Sequence, residues 1–193
     1  MVFNILLDEL PTKWGETEGF AGYELNTDFR VGIQIMQAMT DSELSESEKF
    51  YVINRLLFKK SGASVEEIAE CVEWFLSGWN HDKVISSGKN ETAISFDNDH
   101  GRIYSAFMSQ YHINLNTAQM HFWEFMILLT NLEDCAFTKV IDIRTKKITS
   151  KMSKEEKEAY KRGKKIYSIH QEQPYTEEED EMLQAFLKAV KGS

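Results

Sequence analysis

Residues Asn116–Leu132 read NTAQMHFWEFMILLTNL, and this stretch decides the fold. Placed at 100° steps, Phe122, Trp123, Phe125, Met126, Ile127, Leu128, Leu129 and Leu132 cover every side of a helix. A helix that is apolar all round is normally buried, so 116–132 is expected to be the central helix of a bundle. Asn116 followed by Gln119 has the spacing of an N-terminal cap. Glu124 and Asn131 form one narrow polar strip. The apolar run is shorter than the ~20 residues a bilayer span needs and contains His121 and Glu124, so a membrane reading is rejected.

Working outward, capping patterns repeat along the chain. Ser45 with Glu48, Ser64 with Glu67, Ser153 with Glu156 and Thr176 with Glu179 each read as a capping box. Pro11 and Pro174 are the two prolines, and the stretch between them permits helix after helix. Asn26, Thr27 and Asp28 offer a cap for a helix running to about Met39. The Ser45 helix carries Phe50, Ile53 and Leu57 on one side, with Lys59 and Lys60 near its end and Gly62 as its stop. In the Ser64 helix, Val65, Ile68, Val72, Phe75 and Trp79 share one arc. Glu66, Glu67, Glu70 and Glu73 share the opposite arc, with Trp74 on the acidic side.

A further helix runs through Ile103, Tyr104, Phe107, Met108 and Tyr111, with Asp97 or Asp99 near its start, and is expected to lie antiparallel to the central one. A short helix follows from Phe137 to about Arg144. Glycines at 15, 19 and 22 bracket a turn between Thr12–Trp14 and Tyr23–Leu25, which predicts a short β-hairpin. The fold class is therefore mainly α: a multi-helix bundle around 116–132 with an N-terminal β-hairpin. Residues 80–98 are polar and aperiodic, and read as a long loop. It divides an N-terminal lobe, 1–79, from a C-terminal lobe, 99–193, unless the two form one compact domain.

The formal charge of −9 disfavours nucleic acid or anionic lipid as the main partner. One segment opposes this trend. From Thr145 to Lys165, nine Lys or Arg stand against three Glu. Aromatic residues are not interleaved there as stacking platforms, so a solvated helix pairing with acidic surfaces of the same protein is the plainer reading. Cys71 and Cys135 show no Cys-x-x-Cys spacing and read as free thiols of a reducing cytosol. The start MVFNILLDEL lacks a basic n-region and does not read as a secretory signal.

For chemistry, His121 and Glu124 lie three residues apart and both could point at one metal ion, but no second ligand pair accompanies them. A hydrogen-bonded polar pair inside the core is favoured. No Gly-x-Ser-x-Gly, no phosphate-binding Gly-rich loop and no Cys–His signature occurs. No catalytic residue, metal or cofactor is therefore expected. Partner binding is assigned instead to Trp74 and to Met182, Leu183, Phe186, Leu187 and Val190, the stripe of a terminal amphipathic helix. The alternatives are that Trp74 packs on a neighbouring helix and that the last helix docks on its own core.

Several segments, in order, resemble a bacteriophage protein family named after gene product fifteen. They begin with Leu10-Pro-Thr12 and Tyr23-Glu-Leu-Asn-Thr-Asp-Phe-Arg30. Ser95-Phe-Asp97, Arg102-Ile-Tyr-Ser-Ala-Phe107, Gln110-Tyr-His-Ile-Asn-Leu115 and His121-Phe-Trp-Glu-Phe125 follow, then Phe137-Thr-Lys-Val-Ile141 with Ile143-Arg144. Lys164-Lys-Ile-Tyr167 closes the match, which spans about 3–168. Phe122 stands where the family usually has a second tryptophan. The resemblance implies tail morphogenesis in long-tailed phages of Gram-positive bacteria, in the host cytoplasm. It implies a non-catalytic tail assembly chaperone that keeps the tape-measure protein soluble, with the tail tube protein as a further partner and self-association open. The alternative is a minor tail or connector protein retained in the virion.

Overall fold

A computed structural model describes residues 3–60, 62–79 and 93–169. The chain divides into two compact units, Met1–Thr145 and Lys146–Ser193. Among the described residues the fold is mainly helical, with one two-stranded antiparallel hairpin.

The hairpin pairs β1 (Lys13–Trp14) with β2 (Tyr23–Glu24), in the register Lys13 opposite Glu24 and Trp14 opposite Tyr23. Gly22 sits at φ +75°, and a Cβ there would lie 2.9 Å from the Trp14 carbonyl oxygen. Only glycine meets both demands. The strand continues into Leu25, which bridges to Phe58.

Helix α1 (Phe29–Thr40) is capped by Asp28, whose carboxylate accepts from the Arg30 amide. Helix α2 (Glu46–Leu57) opens on the Ser45–Glu48 capping box, and α3 (Val65–Ser77) on the Ser64–Glu67 box. Two sequence expectations shift here. Helix α2 stops at Leu57 rather than near Gly62, because Phe58 turns extended and the Lys59 amide donates to Glu24 O beside the hairpin. In α3, Val65 is exposed at the first turn and Trp79 lies past the end, so the apolar stripe is carried by Ile68, Cys71, Val72 and Phe75.

Helix α4 (Phe96–Ala106) starts three residues inside the expected 80–98 loop. Its cap is Ser95, and Asp97 and Asp99 lie in its first turn, near the start as expected. Residues 80–92 lie outside the described part. The helix runs on as a π-helical turn over Phe107–Tyr111 and ends where His112 takes a left-handed φ of 57°.

The central helix α5 is Phe122–Thr130, shorter than 116–132. Residues 116–120 are not helical. The Asn114 carbonyl accepts from the Thr117 and Ala118 amides, closing a turn. The chain then pairs with the segment before α1: the Phe29 amide donates to Met120 O, and the Phe122 amide to Thr27 O. Those bonds hold His121 extended, at φ −66° and ψ 144°, and His121 replaces Asn116 as the cap. The helix α6 (Ala136–Thr145) follows.

Helix α5 is buried around most of its circumference rather than on every side. Phe122, Trp123, Phe125, Met126 and Leu129 are buried, Glu124, Ile127 and Leu128 are half-buried and Thr130 is exposed, and its aromatic residues divide the neighbours among them. Phe125 stacks on Phe29 of α1 at 4.8 Å and on Phe107 at 5.2 Å. Phe122 meets Phe75 of α3 at 5.1 Å. Trp123 meets Trp74 of α3 and Phe3 of the N-terminal segment, each at 5.0 Å. Elements on both sides of residues 80–92 thus share a single hydrophobic cluster, from Leu25 to Phe137.

In the second unit, α7 (Lys154–Ile166) opens on the Ser153–Glu156 capping box and buries no side chain. The Lys146 ammonium lies 6.0 Å from the Tyr160 ring centroid. The predicted helix after Thr176 falls outside the described residues. No helix among the described residues is long and apolar enough to cross a membrane.

Candidate functional site

His121, Cys71 and Asp99 of the first unit are buried in the core. His121 precedes α5 on extended backbone, so its ring folds back over the helix start. Its Nδ1 accepts from the Trp123 amide at 3.0 Å, and its Nε2 donates to the Pro11 carbonyl at 3.0 Å. Both nitrogens are used, which fixes the neutral Nε2–H tautomer. Burial pushes the His121 pKa down, opposed in part by the Pro11 carbonyl. Glu124 is half-buried one turn on and shares no partner with His121. Among the described residues, no group of three or more His, Cys, Asp or Glu is placed to hold a metal ion.

Trp123 donates its indole N–H to the Phe75 carbonyl at 2.7 Å. Gly78 makes room for that ring: a Cβ there would lie 2.5 Å from Trp123 Cζ2. Trp74 is half-buried edge-on to Trp123, so much of its ring faces the chain's own core. Cys71 is fully buried, and burial pushes its thiol up to about 12, far from a usable thiolate at neutral pH.

A second polar centre escapes sequence reading. Asp99, on the first turns of α4, is completely buried and accepts from Arg144 of α6 at 2.6 and 3.0 Å. Arg102 and the Ser95 amide also donate to it, at 3.2 and 3.1 Å. Arg144 further donates to the Ala93 carbonyl at 2.9 Å. The four donors match the acceptor capacity of a carboxylate and make this a structural clamp. Nothing in the spacing of 99 and 144 distinguishes them from other charged positions.

What faces solvent is better suited to recognition. Residues 4–8 form a capped turn. The Asn4 side chain accepts from the Leu6 amide, Asp8 accepts from the Asn4 amide, and the Leu7 and Asp8 amides donate to Asn4 O. The turn displays Leu6, 88% exposed, and Leu7, 82% exposed, while Phe3 anchors it on Trp123. The Asn4–Asp8 spacing was the available signal for this display. An open groove of about 570 Å³ runs along α6, lined by Leu132, Glu133, Thr138, Lys139, Asp142 and Ile143. Of the residues assigned to partner binding, Met182, Leu183, Phe186, Leu187 and Val190 lie outside the described residues.

The model of the bacteriophage Gp15 protein family matches residues 6–169. No curated protein and no solved structure matches the chain.

Proposed function

The chain belongs to the bacteriophage Gp15 protein family, and from that membership we propose that it is a non-catalytic tail assembly chaperone. In this reading it holds the tape-measure protein soluble in the host bacterial cytoplasm until tail tube subunits surround it. The coarser role, a phage structural or assembly protein, is what the family itself suggests. The match over 6–169 carries the proposal. It covers both the bundle and α7, and so the whole described architecture.

The surface supports the reading. A helical, aggregation-prone client needs apolar contact with a charged rim. The Leu6–Leu7 turn supplies exposed apolar side chains next to Asp8 and Glu9. The groove along α6 combines Leu132 and Ile143 with Glu133, Lys139 and Asp142. The histidine, thiol and buried carboxylate described above are consumed by packing and hydrogen bonding, which agrees with a protein that binds rather than reacts.

Mass spectrometry of purified phage particles tests the assignment. A chaperone is absent from the finished virion while abundant in the infected cell. Stoichiometric presence in the particle favours a minor tail or connector protein instead.

A further inference from the structure

The two signs of charge on this chain are segregated. Residues 1–145 hold 11 Lys or Arg against 22 Asp or Glu, whereas residues 146–169 hold nine against three. Helix α7 concentrates the positive part. At 100° per residue, Lys154, Lys157, Lys161 and Lys165 fall within one arc, and Arg162 adjoins it. Lys154, Lys161, Arg162 and Lys165 are exposed. Lys161 pairs with Glu158 at 3.1 Å, within the same helix. No side chain of α7 is fully buried: Lys157, Tyr160 and Lys164 are half-buried along one side, with the Lys157 ammonium donating to the Ser150 carbonyl at 3.2 Å, and Lys154, Lys161, Arg162 and Lys165 form the exposed basic face.

The matching surface lies on α3. Glu66, Glu70 and Glu73 are exposed on its outer arc and make no ion pair among the described residues. Glu67, by contrast, is engaged by Ser64 and by the Tyr23 hydroxyl. Glu70 and Glu73 are separated by about 4.5 Å along their helix, and Lys157 and Lys161 by about 6 Å along theirs. Over two turns, Glu66 to Glu73 spans about 10.5 Å and Lys157 to Lys165 about 12 Å, so the two stripes are of similar length.

We propose that α7 is a self-association element whose basic face docks on the acidic face of α3 in a second copy of this chain. The net charge of −9 does not forbid this. At physiological salt, charges more than about 8 Å apart are largely screened, so the facing stripes dominate the contact. An acidic protein surface is favoured over RNA because α7 offers Tyr160 as its one aromatic residue, and the Lys146 ammonium lies near that ring. The inference is independent of what client the protein holds.

The experiment is sedimentation of the full chain at low and high salt, with two charge-reversed variants. One is Lys157→Glu with Lys161→Glu, the other Glu70→Lys with Glu73→Lys. The expected result is an assembly larger than the 22.4 kDa monomer, with a dissociation constant raised on the order of tenfold or more between 50 and 500 mM salt. Each variant alone is expected to be monomeric, with unchanged far-ultraviolet circular dichroism, and an equimolar mixture of the two to associate again. A monomer at every salt, a mixture that stays monomeric, or an α7 variant whose measurable defect is lost RNA retention would overturn the proposal.

Discussion

Arg144 and Asp99 form a bidentate ion pair at 2.6 and 3.0 Å between α6 and α4, with Asp99 fully buried and Arg144 7% exposed. Removing Arg144 takes two of the four donors from the buried carboxylate and leaves Arg102 and the Ser95 amide, and breaking a buried pair typically costs about 3–5 kcal/mol. Arg144→Leu is therefore expected to lower the urea-unfolding free energy by about that amount. The double variant Asp99→Leu with Arg144→Leu is expected to lose less than Arg144→Leu alone, because no buried carboxylate remains and Arg102 is partly exposed to solvent. Equal losses would mean that the pair is not the clamp described here.

Gly32 of α1 lets the central helix approach. A Cβ at position 32 would sit 2.1 Å from Phe122 Cδ2. Gly32→Ala forces the ring to move in a packed core, and overpacking of this kind costs about 1–3 kcal/mol. Adding Phe122→Leu opens space and is expected to recover part of the loss. Thermal unfolding of the single and double variants reads this directly; a Gly32→Ala protein as stable as the parent would contradict the packing.

The sequence made α5 legible as a buried element because its apolar residues leave no polar face. It did not give the correct start. Asn116 has good capping chemistry, but Asn114 closes a turn ahead of it and the backbone bonds of 120–122 to 27–29 hold the chain extended. That is tertiary structure overriding a local signal. The serine capping boxes of α2, α3 and α7 were readable because both partners are local. Asp99–Arg144 was not, since a pair 45 residues apart in sequence has no periodic signature. For the candidate contact surface, Trp74 stood out by its place on the acidic arc, yet its ring lies edge-on to Trp123. Leu6 and Leu7 belong to the MVFNILLDEL start, and the Asn4–Asp8 turn that exposes them is seen only in the structure.

Stability should depend on pH through His121. Its folded pKa is depressed by burial, so folding favours the neutral ring and the unfolded chain binds the extra proton. Protonating Nδ1 would also remove the acceptor for the Trp123 amide. The stabilising effect is complete above the unfolded value of about 6.5 and is lost as pH falls through it. The melting temperature is expected to drop between pH 7.5 and 5.5. His121→Asn, which keeps a capping acceptor but cannot titrate, should show a smaller drop.

The two thiols should differ in reactivity. Cys71 is buried with its pKa pushed up to about 12, whereas Cys135 is half-buried at the start of α6. A thiol reagent is expected to label Cys135 in the native protein and both cysteines in denaturant. Native labelling of Cys71 at the same rate would show that α3 does not seal it.

The central claim is that this protein keeps a tape-measure protein soluble. Co-expression of the two, followed by fractionation and affinity capture through the tape-measure protein, measures it most directly. The tape-measure protein is expected to move from the pellet to the soluble fraction and to carry this chain with it. A tape-measure protein that stays insoluble and captures none of this chain would rule out the chaperone role.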